Sequence, residues 1–100
     1  MPEQPSASEL AEKVLAHPSV TRLAGGEFGE ITSYFPGHRI TGVRMPEDGG
    51  VEIGVVVRLD QPVGTTVAEL RASLAGTLGA TRVDIYVSDV ETAEDPPEPA

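Results

Sequence analysis

The chain has 100 residues, 39% of them apolar, and sixteen acidic against seven basic side chains, a formal net charge of −9. That length fits one small domain burying about 60–65% of its unfolded surface. The charge argues against partners recognised through phosphates or anionic lipid, and the absence of cysteine excludes disulfides, thiolate metal sites and cysteine nucleophiles.

No window approaches the roughly 20 apolar residues of a membrane span. The first ten residues, MPEQPSASEL, carry neither a basic stretch nor an apolar stretch of the kind that makes a signal peptide. A cytoplasmic location without direct membrane insertion is therefore expected. Residues 1–5 are expected to be disordered, as is the acidic, proline-rich tail over 91–100, which leaves 6–90 as a single domain.

Ser6 and Glu9 form a capping-box pair that opens a short helix. Leu10, Ala11, Val14 and Leu15 supply its apolar stripe, and Pro18 ends it near Ala16. Residues 19–24 read as a short strand closed by Gly25-Gly26. Residues 28–35 read as another strand, apolar on both sides and holding three of the four aromatic residues. Pro36-Gly37 marks a turn. Residues 38–45 form the next strand, joined to 51–59 through the turn-forming Pro46-Glu47-Asp48-Gly49-Gly50, so the two are expected to be antiparallel neighbours.

Residues 51–59 make the longest β-branched run. Val51, Ile53, Val55, Val57 and Leu59 share one face, and Glu52, Gly54, Val56 and Arg58 share the other. Thr66 and Glu69 suggest a second capping box, with Val67 opening a helix whose Val67, Leu70, Leu74 and Leu78 recur at helical spacing. Gly76 inside that helix suggests a close approach to the sheet, and Gly79 ends it. Residues 83–90 alternate again and should lie parallel to 51–59 across the helical crossover. The expectation is an α+β two-layer sandwich, a mixed β-sheet with two helices on one face. Its order is α-β-β-β-β-α-β, a β-hairpin followed by a βαβ unit.

This pattern resembles the alkaline-shock protein family, also called the envelope stress response proteins. The residues that carry the resemblance are His17-Pro18-Ser19-Val20 after the first helix, Ile40-Thr41-Gly42-Val43, the valine-rich 51–59, the helix from Thr66 to Leu78, and the closing run 82–90, RVDIYVSDV. The resemblance implies a non-enzymatic interaction protein acting in cell-envelope stress. Such a protein self-associates as a homo-oligomer and docks to an integral membrane anchor protein, with no cofactor and no catalytic residues.

The residues themselves offer little chemistry. His17 and His38 are 21 positions apart and have no cysteine to complete a metal site. The Gly25–Gly29 stretch has no following Lys-Ser/Thr and contains Glu27, which repels phosphate. Neither histidine lies in a nucleophile motif. The sheet face opposite the helices is the better candidate for contact, and Val56, Arg58, Asp84 and Tyr86 are its expected partner-binding residues. An edge strand offers a second route to self-pairing. The alternative reading is a small-molecule-binding or regulatory domain of ferredoxin-like form, with its ligand near residues 25–28 or Thr65-Thr66. RNA binding is disfavoured by the acidic balance.

Overall fold

The computed structural model describes residues 6–47 and 49–92. The expectations for residues 1–5 and 93–100 lie outside them. In chain order the elements are helix α1 (Ala7–Leu15), strands β1 (Val20–Leu23), β2 (Thr32–Phe35), β3 (His38–Thr41), β4 (Val43–Arg44) and β5 (Val51–Arg58), helix α2 (Val63–Leu78) and strand β6 (Val83–Glu91). This is the expected α+β architecture, with one expected strand divided in two.

The first helix forms as its ends dictate. The Ser6 hydroxyl accepts the Glu9 N–H at 3.1 Å, and the Glu9 carboxylate accepts the Ser6 N–H at 3.2 Å. Ala7, Leu10, Ala11 and Val14 are buried, while Leu15 lies outside the stripe and is exposed. Helix α2 begins four residues earlier than the Thr66 box suggests. Pro62 is its N-cap, without a side-chain capping bond. Thr66 is instead fully buried within the helix, and its hydroxyl accepts a hydrogen bond from the Gln61 amide at 2.8 Å. A side chain five positions upstream takes the hydroxyl that the box assigned to capping. The C-terminus ends as expected at Gly79, which has φ 64° and donates its N–H to the Ala75 carbonyl.

Strand β5 is the centre of the main sheet. It pairs parallel with β6 along its length. On its other side it pairs antiparallel with β4 through Val43 and Arg44, and with β1 through Val20, Arg22 and Leu23. Its odd residues Val51, Ile53, Val55 and Val57 join Val43, Val20 and Val83 in one core with Leu10 and Val14 of α1 and Leu70 and Leu74 of α2. Each of these side chains is worth about 1.5–3 kcal/mol on burial, so the core is both the hydrophobic driving force and the contact between the two layers.

The opposite face of β5 is not the open contact surface expected of it. The 24–31 loop crosses it, with Ile31 buried beneath. Gly54 accommodates this crossing. A Cβ there would lie 2.0 Å from the Ala24 carbonyl oxygen and 3.3 Å from the Ile31 side chain. The Ala24 N–H donates to the Gly54 carbonyl and the Gly54 N–H donates to the Gly42 carbonyl, both at 2.9 Å. The Gly42 N–H in turn donates to the Ile31 carbonyl at 2.7 Å.

Gly42 also divides the strand expected over 38–45. Its φ is +94°, and a Cβ would lie 2.5 Å from that of Leu23. Before it, β3 pairs only with β2, in a separate two-stranded hairpin turned at Pro36-Gly37; after it, β4 joins β5. The strand expected over 28–35 is correspondingly short. Its first half is loop, turned at Gly29, whose φ is positive.

Gly76 marks no close approach. It is exposed, and a Cβ there would meet nothing within 4 Å. The two glycines therefore give opposite expectations. Gly54→Ala should destabilise the fold by about 3 kcal/mol, because the new methyl meets backbone rather than a flexible side chain. Gly76→Ala should stabilise it by up to about 1 kcal/mol through helix propensity. Urea unfolding midpoints of the two variants against the parent check both signs.

Candidate interaction surface

The four residues expected to form a contact surface do not come together as one patch. Val56 is 2% exposed, so its side chain is unavailable to a partner. Arg58 is exposed but lies at the far end of β5, where it pairs in register with Glu91, whereas Asp84 stands beside Glu52 and Tyr86 beside Gly54. At about 3.3 Å per residue, Arg58 is some 20 Å from Asp84 and 13 Å from Tyr86 along the strands. Asp84 is held by Arg82 at 3.3 Å, and Glu52 by Arg44 at 2.8 Å. Tyr86, half exposed, lines a shallow cleft of about 350 Å³ with Ile31, Glu30 and Glu52. Of the four, only Tyr86 offers a partner an apolar surface.

Arg58 instead belongs to a polar clasp at the end of the domain. Its N–H donates to the Ser19 carbonyl at 2.7 Å, and its guanidinium donates to the Pro18 carbonyl at 3.3 Å. His17 is largely buried beside them. Its Nδ1 accepts the Ser19 N–H at 3.0 Å, so the neutral ring carries its proton on Nε2, which donates to Glu69 Oε1 at 2.8 Å. The Ser19 hydroxyl donates to Asp60 at 2.7 Å, and the Gln61 amide donates to both Thr66 and Glu69.

Serine, histidine and two carboxylates thus meet, but without the wiring of a nucleophilic triad. The hydroxyl of Ser19 points to Asp60 rather than to the imidazole, and the residue is only 3% exposed. The imidazole is committed on one side to a backbone N–H and on the other to a surface carboxylate. What this arrangement does is tie the α1–β1 junction to the start of α2. The sequence spacing gave no sign of it, since His17 and Glu69 are 52 residues apart.

The unexpected surface is aromatic. All four aromatic residues of the chain lie outside the core: Phe28 is 86% exposed, Tyr34 71%, Tyr86 46% and Phe35 40%. Three of them belong to the β2–β3 hairpin and the loop that precedes it. Register places Tyr34 opposite Arg39, and Phe35 opposite His38. On one side of the hairpin Tyr34 and Arg39 border a cleft with Phe28 over a floor of Gly25 and Gly26. On the other side Phe35 and His38 stack, with ring centroids 5.0 Å apart and planes inclined by 17°.

The hairpin is anchored at its base. The Thr32 hydroxyl donates to the Gly29 carbonyl, and the Ser33 hydroxyl donates to the Val43 carbonyl. Ile40 packs against the main core. A fixed base with rigid rings beyond it presents aromatic area at little cost in conformational entropy. The count of aromatic residues was readable in the sequence, but not their exposure, because the alternating pattern suggested that both sides of this stretch were partly buried.

The clasp gives a pH expectation. Hydrogen bonds from Gln61 and His17 hold the Glu69 carboxyl below the ordinary glutamate range. A carboxyl lowered by folding stabilises fully above its unfolded value, and this contribution is lost as the pH falls through the folded value. Glu69→Gln should therefore be less stable than the parent at neutral pH, with the difference closing in acid. Urea midpoints of both proteins from about pH 3 to 7 give the measurement; a constant offset would place the effect elsewhere.

Compared with protein-family models, curated proteins and solved structures, the chain matches none.

Proposed function

We propose that the protein is a non-enzymatic interaction module of the alkaline-shock type, which self-associates and docks to a membrane-anchored protein partner. The observation that carries this reading is the partition of side chains. The core is entirely aliphatic, while every aromatic residue lies outside it and three are gathered on and beside one hairpin. Single exposed apolar residues are ordinary, but two rings and an arginine bordering one cleft have the composition of a protein contact surface.

Burying a ring of this size is worth about 1.5–3 kcal/mol, which the folded chain does not collect from Phe28 or Tyr34 by itself. A partner that covers the Phe28–Tyr34–Arg39 side of the hairpin collects it. The order of elements and the closing strand support the alkaline-shock reading, from which docking to a membrane-anchored partner and self-association both follow. Catalysis plays no part in this proposal, and the His17–Glu69 clasp is read as structural.

The test is affinity capture from detergent-solubilised membranes of the source cell, comparing the parent with a Phe28→Ala, Tyr34→Ala double variant. Both residues are exposed, so the variant should unfold at the same urea midpoint within about 0.5 kcal/mol. The parent should recover one membrane protein in stoichiometric amount, and the variant at least about tenfold less, the loss expected of two contact-surface rings. Equal recovery by both proteins would remove the hairpin from the docking site.

A further inference from the structure

Strand β6 has β5 on one side and, among the described residues, no strand on the other. The direction in which its backbone groups point can be read from its bonds. The Val51 N–H donates to the Arg82 carbonyl, so even-numbered residues at the start of β6 face β5 and odd-numbered ones face outward. A bulge at Ser88 reverses this, since Val55 pairs with Val87 but Val56 with Asp89; beyond it the Leu59 N–H donates to the Glu91 carbonyl.

Two side-chain bonds agree with this phase and close the two ends of the edge. Arg71 of α2 donates to the outward Val83 carbonyl, and the Asp89 carboxylate accepts the outward Val90 N–H at 2.8 Å. Between these caps, the outward N–H and carbonyl groups of Ile85 and Val87 have no partner among the described residues. An edge capped at both ends and open in the middle is a short slot for one added strand.

We propose that a second copy of this chain occupies the slot, its β6 running antiparallel and centred on Tyr86, so that two four-stranded sheets become one continuous sheet. The proposal rests on the interaction-module reading but uses a different surface from the hairpin. In this register Ile85 of one copy exchanges backbone hydrogen bonds with Val87 of the other, matching the open groups. Tyr86 faces its own equivalent across the two-fold axis, an aromatic cross-strand pair. The slot is self-complementary, which decides for a second copy. Its open groups lie one residue either side of Tyr86, so two copies related by a two-fold axis satisfy each other's. The bulge, which sets Ser88 and Asp89 together opposite Asp84, confines the ladder to these central residues.

The absence of cysteine makes the register directly measurable. Facing residues at a non-hydrogen-bonded antiparallel position have Cα atoms about 4.5 Å apart, within the range a disulfide spans. Tyr86→Cys should therefore form a covalent dimer under mild oxidation. Asp84→Cys should not, because its own equivalent is about 13 Å away along the strands. Cross-linking of both variants at equal rates, or of neither, overturns the proposal.

Sedimentation equilibrium supplies the second readout. Tyr86→Lys, at an exposed position, should keep the fold and weaken self-association at least tenfold by placing like charges across the axis. Unchanged association in that variant also overturns the edge pairing. If Tyr34→Ala abolishes self-association while Tyr86→Lys does not, the hairpin carries it: the edge proposal fails and the interaction-module reading stands. Strong Tyr86→Cys cross-linking with no partner captured through the hairpin gives the converse.

Discussion

The carbonyl of Ala24 rests where a side chain of residue 54 would be, and much of the molecule depends on that contact. Through it the loop after β1 crosses the outer face of β5, and the hydrogen bonds joining Ala24, Gly54, Gly42 and Ile31 bring four stretches of chain to one point. A methyl group at 54 would push the loop away, expose Ile31 and release the base of the hairpin. Gly42 meets a second constraint at the same place. Its positive φ turns the chain out of one sheet and into the other, and the contact with Leu23 leaves no space for a Cβ. The junction is built of backbone, and two missing side chains make room for it.

The remaining side chains divide between support and display. Valine, leucine and isoleucine fill the space between the sheet and the helices, and their branched shapes suffice for a core of this size. The rings are left for the surface. At the opposite end the His17–Glu69–Gln61 bonds and the Ser19–Asp60 bond hold α1, β1, β5 and α2 together without contributing area to the core. The module therefore has an aliphatic body, a polar clasp at one end and an aromatic hairpin beside the junction.

Features governed by short-range chemistry were legible in the sequence. The Ser6–Glu9 box, the alternation of 51–59, the parallel run after the helix and the stop at Gly79 all depend on residues within a few positions of one another. What was not legible depends on tertiary partners. Thr66 reads as a cap, although the helix starts at Val63 and packing buries the residue completely. Val56 reads as outward-facing because the alternation does not reveal that the outer face of β5 is covered. Gly54 reads as one weak position in a strong strand, although its backbone receives a loop some thirty residues upstream. Of the contact residues inferred from the pattern, Tyr86 alone kept an exposed apolar surface, and it did so because it lies on the edge strand.

The position of β5 in the chain has a consequence for how the sheet assembles. Leu23 pairs with Val55, which pairs with Val87, so the strands on its two sides are recruited from nearly equal distances upstream and downstream. Closing either loop of roughly thirty residues costs about 1 kcal/mol more in chain entropy than closing the ten-residue loop between Val43 and Ile53. The β4–β5 turn is therefore the cheapest contact that β5 can make, and it carries Gly42 with it. Contact order therefore favours the Gly42–Gly54 bond of the junction as the early contact, while the Ala24–Gly54 contact, thirty residues apart, closes only with the β1 pairing.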